Sequence, residues 1–383
     1  MGAGSATTTS NRSLNFGAGP AKLPLEVLEE VQNELLSYEG SGMSIMEMSH
    51  RSKEYGKINR DAQTAVRELL NVPDNYKILF IQGGGTGAFA AVAMNLLNRT
   101  GTADYCVTGT WSSKAAKEAE KYGEVRLAFP VPKKLGKIPD QSTWTLNPDA
   151  SYVYYCANET VDGVQFHFIP ETNGVPLVTD MSSCIMTEQV DVSKFGCIFG
   201  GAQKNIGPAG VTVVIIREDL LGNSMKICPS VFDFTNVNKE NSIHNTPATF
   251  SVYVMERVFQ WIQRNGGIIA MEEQAIAKSS LLYSTIENSN NFYSCPIDRI
   301  ARSKMNIPFR VGGENGDERL EKLFLKETEE LRMFQLQGHR SVGGMRASLY
   351  NAVTYEDVQT LVNYMKEFQR RHEHISTMQI RNS

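Results

Sequence analysis

The chain has 383 residues, of which 41% are hydrophobic and 21% charged, a composition that suits a soluble globular protein of roughly two domains. A formal net charge of −4 offers no basic field to draw a nucleic-acid partner, and no apolar run approaches the roughly 20 residues that cross a bilayer. The six cysteines (106, 156, 184, 197, 228 and 295) include no Cys-x-x-Cys pair, so free thiols in a reducing, cytoplasmic setting are expected.

Residues 1–14 carry no signal-like apolar segment and read as a disordered tail. The opening Met1-Gly2 lacks the Ser or Thr that myristoylation wants at position 6, where Ala6 stands. Pro24 opens a helix with Leu28, Val31 and Leu35 on one face, and residues 53–70 give a second. A strand at 77–81 runs into Gln82-Gly83-Gly84-Gly85-Thr86-Gly87, followed by a helix at 88–97. Strands at 104–108, 151–156, 176–180, 196–199 and 211–216 continue an alternation with helices, which argues for a mostly parallel sheet flanked by helices, an α/β architecture.

A helix at 249–264 ends at Gly266-Gly267, and the texture changes. A strand at 305–311, a helix at 318–332, strands at 333–337 and 345–350, and a last helix burying Val358 to Phe368 suggest a smaller α+β domain. The expected division is therefore a large domain at 15–270, its first residues packing on the small one, and a small C-terminal domain at 271–383. Thr246 is placed to cap the helix that Pro247 begins. His372-x-His374 reads as a solvated pair, and no metal site is expected.

Chemistry gathers at a few places. Asp180 closes one apolar run, and Gly200-Gly201-Ala202-Gln203-Lys204 follows another. An acid and a lysine at neighbouring strand exits fit pyridoxal phosphate: the lysine condenses with the aldehyde, and the acid keeps the pyridine nitrogen protonated. Taken alone, the same two residues read more often as a solvated lysine and a turn-forming acid. The glycines at 83–87 suit an anion cradle at a helix start. They also satisfy Gly-x-Gly-x-x-Ala (Gly83, Gly85, Ala88), but the acid that a dinucleotide site wants at the next strand exit is not there, since Asp104 sits at the start of its strand. Two basic turns, His50-Arg51 and His339-Arg340 with Arg346 beyond, suit a multiply charged acid.

Together these residues resemble the phosphoserine aminotransferases, class-V pyridoxal-phosphate enzymes of fold type I. The likeness runs from about Asn15 to about Phe368, through NFGAGPAKLP (15–24), EMSHRS (47–52), QGGGTG (82–87), DMSS (180–183), GAQKN (201–205), NTPATFSVYVM (245–255) and GHRSVGGMRASLYNAV (338–353). The resemblance implies Lys204 as the Schiff-base lysine and Asp180 as the partner of the pyridine nitrogen. It implies Gly85, Thr86 and Gln203 around the cofactor phosphate, Trp111 stacked on the ring and Thr160 at its polar edge. Asn245 and Thr246 would complete the phosphate site of the other subunit in a homodimer. Arg346 would hold the substrate α-carboxylate, and His50, Arg51, His339 and Arg340 its phosphate or distal carboxylate. Position 86 carries a basic residue in some bacterial members, so the amide of Thr86 rather than its side chain bears that expectation. The implied reaction exchanges an amino group between glutamate and 3-phosphohydroxypyruvate, giving phosphoserine and 2-oxoglutarate. Another class-V chemistry (a desulfurase, a lyase, or transamination of a different keto acid) is the alternative.

Overall fold

The computed structural model describes residues 12–131 and 136–380, with side chains as far as 373. The reading of the N-terminal tail lies outside the described residues for positions 1–11. In chain order the elements are β1 (Leu14–Asn15), α1 (Leu25–Glu34), α2 (Lys53–Leu69), β2 (Tyr76–Ile81), α3 (Gly84–Leu96), β3 (Thr102–Cys106), α4 (Thr110–Ala119), β4 (Glu124–Leu127), β5 (Val153–Cys156), β6 (Asn158–Glu159) and β7 (Val164–Gln165). They continue with β8 (Leu177–Asp180), β9 (Cys197–Gly201), β10 (Thr212–Arg217), α5 (Phe234–Lys239), α6 (Thr249–Arg264) and α7 (Gly267–Glu287). The last are β11 (Tyr293–Ser294), β12 (Asn306–Val311), α8 (Glu318–Glu330), β13 (Met333–Phe334), β14 (Met345–Ser348) and α9 (Tyr355–Ile380).

A seven-stranded sheet in the order β2-β10-β9-β8-β5-β3-β4 forms the centre, parallel except for β10, which runs against both neighbours. Apart from the exposed edge strand β4, its strands are largely apolar on both faces, as a sheet covered on both sides requires. Ile78 and Phe80 of β2, with Val213 and Ile215 of β10, pack toward α1, α2 and α6. The alternate residues, Leu79, Ile81, Val214 and Ile216, pack toward α3, α4 and α5. A third core gathers β11, β12 and β14, with α8 and α9. Phe16 lies in that core, and β1 pairs in parallel with β13.

The α/β architecture read from the sequence is the one observed, and several local readings change. Asp104 lies mid-strand in β3, fully buried, with its carboxylate accepting the Asn147 amide. Helix α6 begins at Thr249 with Ala248 as its N-cap, so Thr246 caps nothing and is exposed. The two glycines read as a stop separate two helices instead. Gly266, at φ 92°, ends α6 in the left-handed conformation, and α7 starts at once. Ile268 and Met271 of α7 belong to the large core, while Leu282 and Ile286 belong to the small one. His372 is half-buried, its ring 4.5 Å from that of Phe368; the His374 side chain lies outside the described residues. No helix among the described residues is long and apolar enough to cross a membrane.

Candidate active site

Strands β2, β3, β5, β8 and β9 all run the same way, so their C-terminal ends open on one edge of the sheet. Parallel sheets place their ligand sites at that edge. From it emerge the glycine turn after β2, the Thr108–Trp111 segment after β3, Thr160 after β5, Asp180 at the end of β8, and Lys204 beyond β9. Register holds them level: Asp180 pairs with Phe199 on one side and Cys156 on the other.

Lys204 is half-buried, and its Nζ donates to Thr160 Oγ1 at 2.7 Å. The ammonium lies 5.2 Å from the centroid of the Trp111 ring, within reach of a cation–π contact. Burial lowers the Lys204 pKa below the usual lysine range, opposed chiefly by the negative charge of Asp180. Burial likewise raises Asp180, which Lys204 and Ser182 pull back. One oxygen of Asp180 accepts from the Ser182 amide at 2.8 Å and its hydroxyl at 2.6 Å. The other oxygen has no hydrogen-bond partner among the described residues.

Two residues that the sequence reading passed over hold Trp111 in place. Glu159 is fully buried and accepts from the amides of Trp111 at 2.8 Å and Ser112 at 2.9 Å. Asp162 accepts from the Thr110 amide at 2.7 Å. These carboxylates satisfy the free amides at the start of α4, which has no acid of its own in its first turn. Gly109 is required there, because a Cβ would come within 2.6 Å of both side chains. Burial pushes Glu159 up to about 7, against the pull of the Ser112 hydroxyl. The available signal was two acids, Glu159 and Asp162, close after the apolar run Tyr152–Ala157.

At the other side of Thr160, Arg346 Nη1 approaches the Thr160 carbonyl at 3.4 Å, and Arg346 Nε is buried without a partner. His339 is half-buried, with Nδ1 2.6 Å from Ser341 Oγ. Burial and the charges of Arg346, Lys114 and Arg340 lower its pKa, against Asp162. Lys114 also sits 4.4 Å over the Trp111 ring, so positive charge collects on this flank.

Gly83, at φ 102°, makes the turn into α3, a conformation open to glycine. The amides of Gly84, Gly85 and Thr86 at the start of that 13-residue helix have no acceptor among the described residues. Gln203 is half-buried beside Lys204. Two predicted groups stand apart. Asn245 and Thr246 are exposed against Gln82 of their own chain, with Asn245 Nδ2 donating to Gln82 Oε1 at 3.0 Å. His50 and the exposed Arg51 form a turn before α2, and no contact joins them to Lys204, His339 or Arg340.

A model of the family described as aminotransferase class-V matches residues 13–361. Phosphoserine aminotransferase of Drosophila melanogaster is 60% identical over 356 residues, covering 93% of this chain and 98% of that protein. The chain belongs to the phosphoserine aminotransferases of class V. The fold agrees with solved members: phosphoserine aminotransferase from Bacillus circulans subsp. alkalophilus superposes with a TM-score of 0.91 at 44% identity, over 95% of this chain and 100% of that one. A pyridoxal-phosphate-bound phosphoserine aminotransferase from Trichomonas vaginalis gives 0.89 at 40%, over 93% and 100%.

For a class-V aminotransferase the donor set fits the cofactor on chemical grounds. Three free amides at a helix start suit a phosphate. A buried carboxyl with one unpartnered oxygen suits a pyridinium nitrogen, an amine of lowered basicity suits an aldehyde, and an indole face suits an aromatic ring.

Proposed function

We propose that this chain is a pyridoxal-phosphate-dependent aminotransferase that passes the amino group of L-glutamate to 3-phosphohydroxypyruvate, forming O-phospho-L-serine and 2-oxoglutarate in serine biosynthesis. The observation that carries the reading is the meeting of Lys204, Thr160, Trp111 and Asp180 at one sheet edge in a chain 60% identical to a phosphoserine aminotransferase.

The cofactor supplies an aldehyde that condenses with amines and a pyridinium ring that draws electrons from the substrate Cα. In this reading Asp180 keeps the ring nitrogen protonated, and Trp111 covers the ring face. The amides of Gly85 and Thr86, with Gln203, hold the phosphate. Lys204 Nζ, aimed by Thr160 and lowered in basicity by burial, would take the proton from the substrate Cα as general base and later give a proton back as general acid. Arg346 grips the α-carboxylate, a group common to every substrate. His339 and Arg340 take the distal charge, which is a carboxylate in glutamate and a phosphate in phosphoserine. The return half-reaction uses the same groups in reverse order.

Two features favour a homodimer. Asn245 and Thr246, exposed beside their own Gln82, would complete the phosphate site of a partner subunit. Among the described residues His50 and Arg51 make no contact with Lys204, His339 or Arg340, and they would serve the substrate only across a subunit interface. The division into a large unit (15–270) and a small one (271–383), and a cytoplasmic setting, accompany this reading. All six thiols are pushed up by burial, which favours amino-group transfer over chemistry needing a reactive thiolate.

The deciding experiment is an absorbance spectrum of the purified holoprotein before and after O-phosphoserine. Conversion of a visible band to a near-ultraviolet one supports both cofactor and substrate. A band indifferent to O-phosphoserine points to another amino acid, and no band with cofactor supplied removes the role of Lys204.

A further inference from the structure

The groups assigned to proton transfer and to carboxylate binding sit on different bodies. Asp180 ends a strand of the large sheet and Lys204 and Thr160 lie in the turns beside its C-terminal edge, whereas Arg346 lies on β14 of the small sheet. Catalysis needs their separation fixed to a fraction of an ångström. Buried polar chains cross between them, one through Asn205, Thr187 and Asn351 and one, nearer Arg346, through Asn306.

Asn306 starts β12 with no exposure at all. Its Oδ1 accepts from Asn158 Nδ2 at 2.8 Å, and its Nδ2 donates to Ser348 Oγ at 3.0 Å and Tyr350 OH at 3.2 Å. Asn158, also buried, donates from the same Nδ2 to Ser183 Oγ at 2.8 Å, and the Ser183 hydroxyl donates back to the Asn158 carbonyl at 2.8 Å. Asn158, Ser183 and Ser348 each lie within three residues of a group assigned to the chemistry. Asn158 precedes Thr160 by two, and Ser183 follows the Ser182 that holds Asp180. Ser348 follows Arg346 by two on the same face of β14, in a register that pairs Asn306 with Ser348 and Pro308 with Arg346.

An apolar pair could fill the same space, since burying amides costs free energy that their bonds only offset. Directional bonds do what packing cannot: they fix which atom of the small sheet faces which atom of the large one. We infer that Asn306, acting with Asn158, is a positioning residue that sets the distance between the Arg346 carboxylate clamp and the Lys204–Thr160–Asp180 group. The inference rests on the aminotransferase reading above.

The test uses the holoenzyme. Asn306→Asp keeps acceptors for Asn158 and loses the donors to Ser348 and Tyr350. Ser348→Ala removes one acceptor without placing a carboxylate in the buried site, and serves if the first variant does not fold. Ser289→Ala is the control: its buried hydroxyl bonds only Ile286 and Tyr293 within the small unit. Melting temperature, the cofactor absorbance band, and kcat and KM for the glutamate and O-phosphoserine half-reactions are measured on each. For Asn306→Asp, kcat falls by one common factor with both amino donors, between about tenfold and about 10²-fold, while the band is retained. Ser348→Ala gives a smaller fall of the same form, and the control loses melting temperature alone. An Asn306→Asp enzyme, or in its place Ser348→Ala, that melts earlier yet keeps wild-type kcat per loaded site overturns the inference, as does a fall confined to one donor. Wild-type protein that transaminates neither donor removes the underlying reading instead.

Discussion

Lys278 on α7 and Lys204 beyond β9 both lose much of their contact with water, and their surroundings differ in kind. Lys278 is 1% exposed, and its amine donates to the carbonyls of Tyr350 at 2.9 Å and Val353 at 2.7 Å. Burial brings its pKa down to about 7, and Asp357, the acid that favours its charge, already pairs with Lys22. Lys204 feels the same desolvation, but its one acceptor among the described residues is the hydroxyl of Thr160, and the face of an indole lies alongside. Burial lowers the basicity of either amine. Two backbone acceptors turn one into an anchor between α7 and the loop after β14. A single side-chain acceptor at an open sheet edge leaves the other able to exchange partners.

Exchanging the two roles by mutation breaks the comparison most directly. Lys204→Ala should lower transamination by at least about 10²–10⁴-fold, the range expected when a positioned proton carrier is lost, with the protein still folded by circular dichroism. Lys278→Met should do the opposite. Turnover per folded molecule stays close to wild type, and stability falls by about 1–3 kcal/mol for each carbonyl left unpaired, read by urea denaturation. Loss of turnover in a folded Lys278→Met enzyme would show that desolvation alone, rather than the set of partners, marks a working lysine.

A smaller change sharpens the point. Thr160→Val removes the one acceptor that Lys204 has among the described residues while keeping the volume. We expect kcat to fall by about tenfold, the worth of one net hydrogen bond, with cofactor content unchanged. A KM effect without a kcat effect would place Thr160 in substrate binding instead. Arg340→Ala should raise KM for O-phosphoserine by more than it weakens the cofactor, since it lies on the positive flank with His339 and Arg346. Equal losses in both would undo the division between substrate and cofactor groups.

Much of this was legible in the chain. The strands of the central sheet fall within two residues of their expected bounds except for β4, because a sheet covered on both faces must be written as unbroken apolar runs. Lys204 and Asp180 were visible because each closes or follows an apolar run, where a charged residue stands out, and the structure brings both to one sheet edge. Helix α4 was not legible: its buried positions are Ser112, Ala115, Ala116 and Ala119, too small to write a clear apolar stripe, and it is held by Glu159 and Asp162 from about 50 residues away. The Asn158–Asn306 bond, 148 residues apart in sequence, leaves no periodic trace at all. Contacts that depend on side-chain direction across the fold are set by topology, and only short-range patterns survive in the order of residues.

The smallest expected effect concerns how the two kinds of buried charge respond to pH. Glu159 has a native pKa of about 7 against an ordinary value of 4.5, so between those values the folded state binds more protons than the unfolded one. Stability from this group is complete below about pH 4.5 and is lost as pH rises through 7. Lys278, with a native pKa of about 7 against 10.5, binds fewer protons when folded. Its contribution is present above about pH 10.5 and is lost as pH falls toward 7. Melting temperature measured from pH 5 to 9 should therefore show opposite differences from wild type. Glu159→Gln removes a downward slope below pH 7, and Lys278→Met removes an upward slope above it. Should the two difference curves share a sign, the buried amine and the buried carboxyl are not titrating where their environments place them. The contrast between the two lysines would then rest on their hydrogen-bond partners alone.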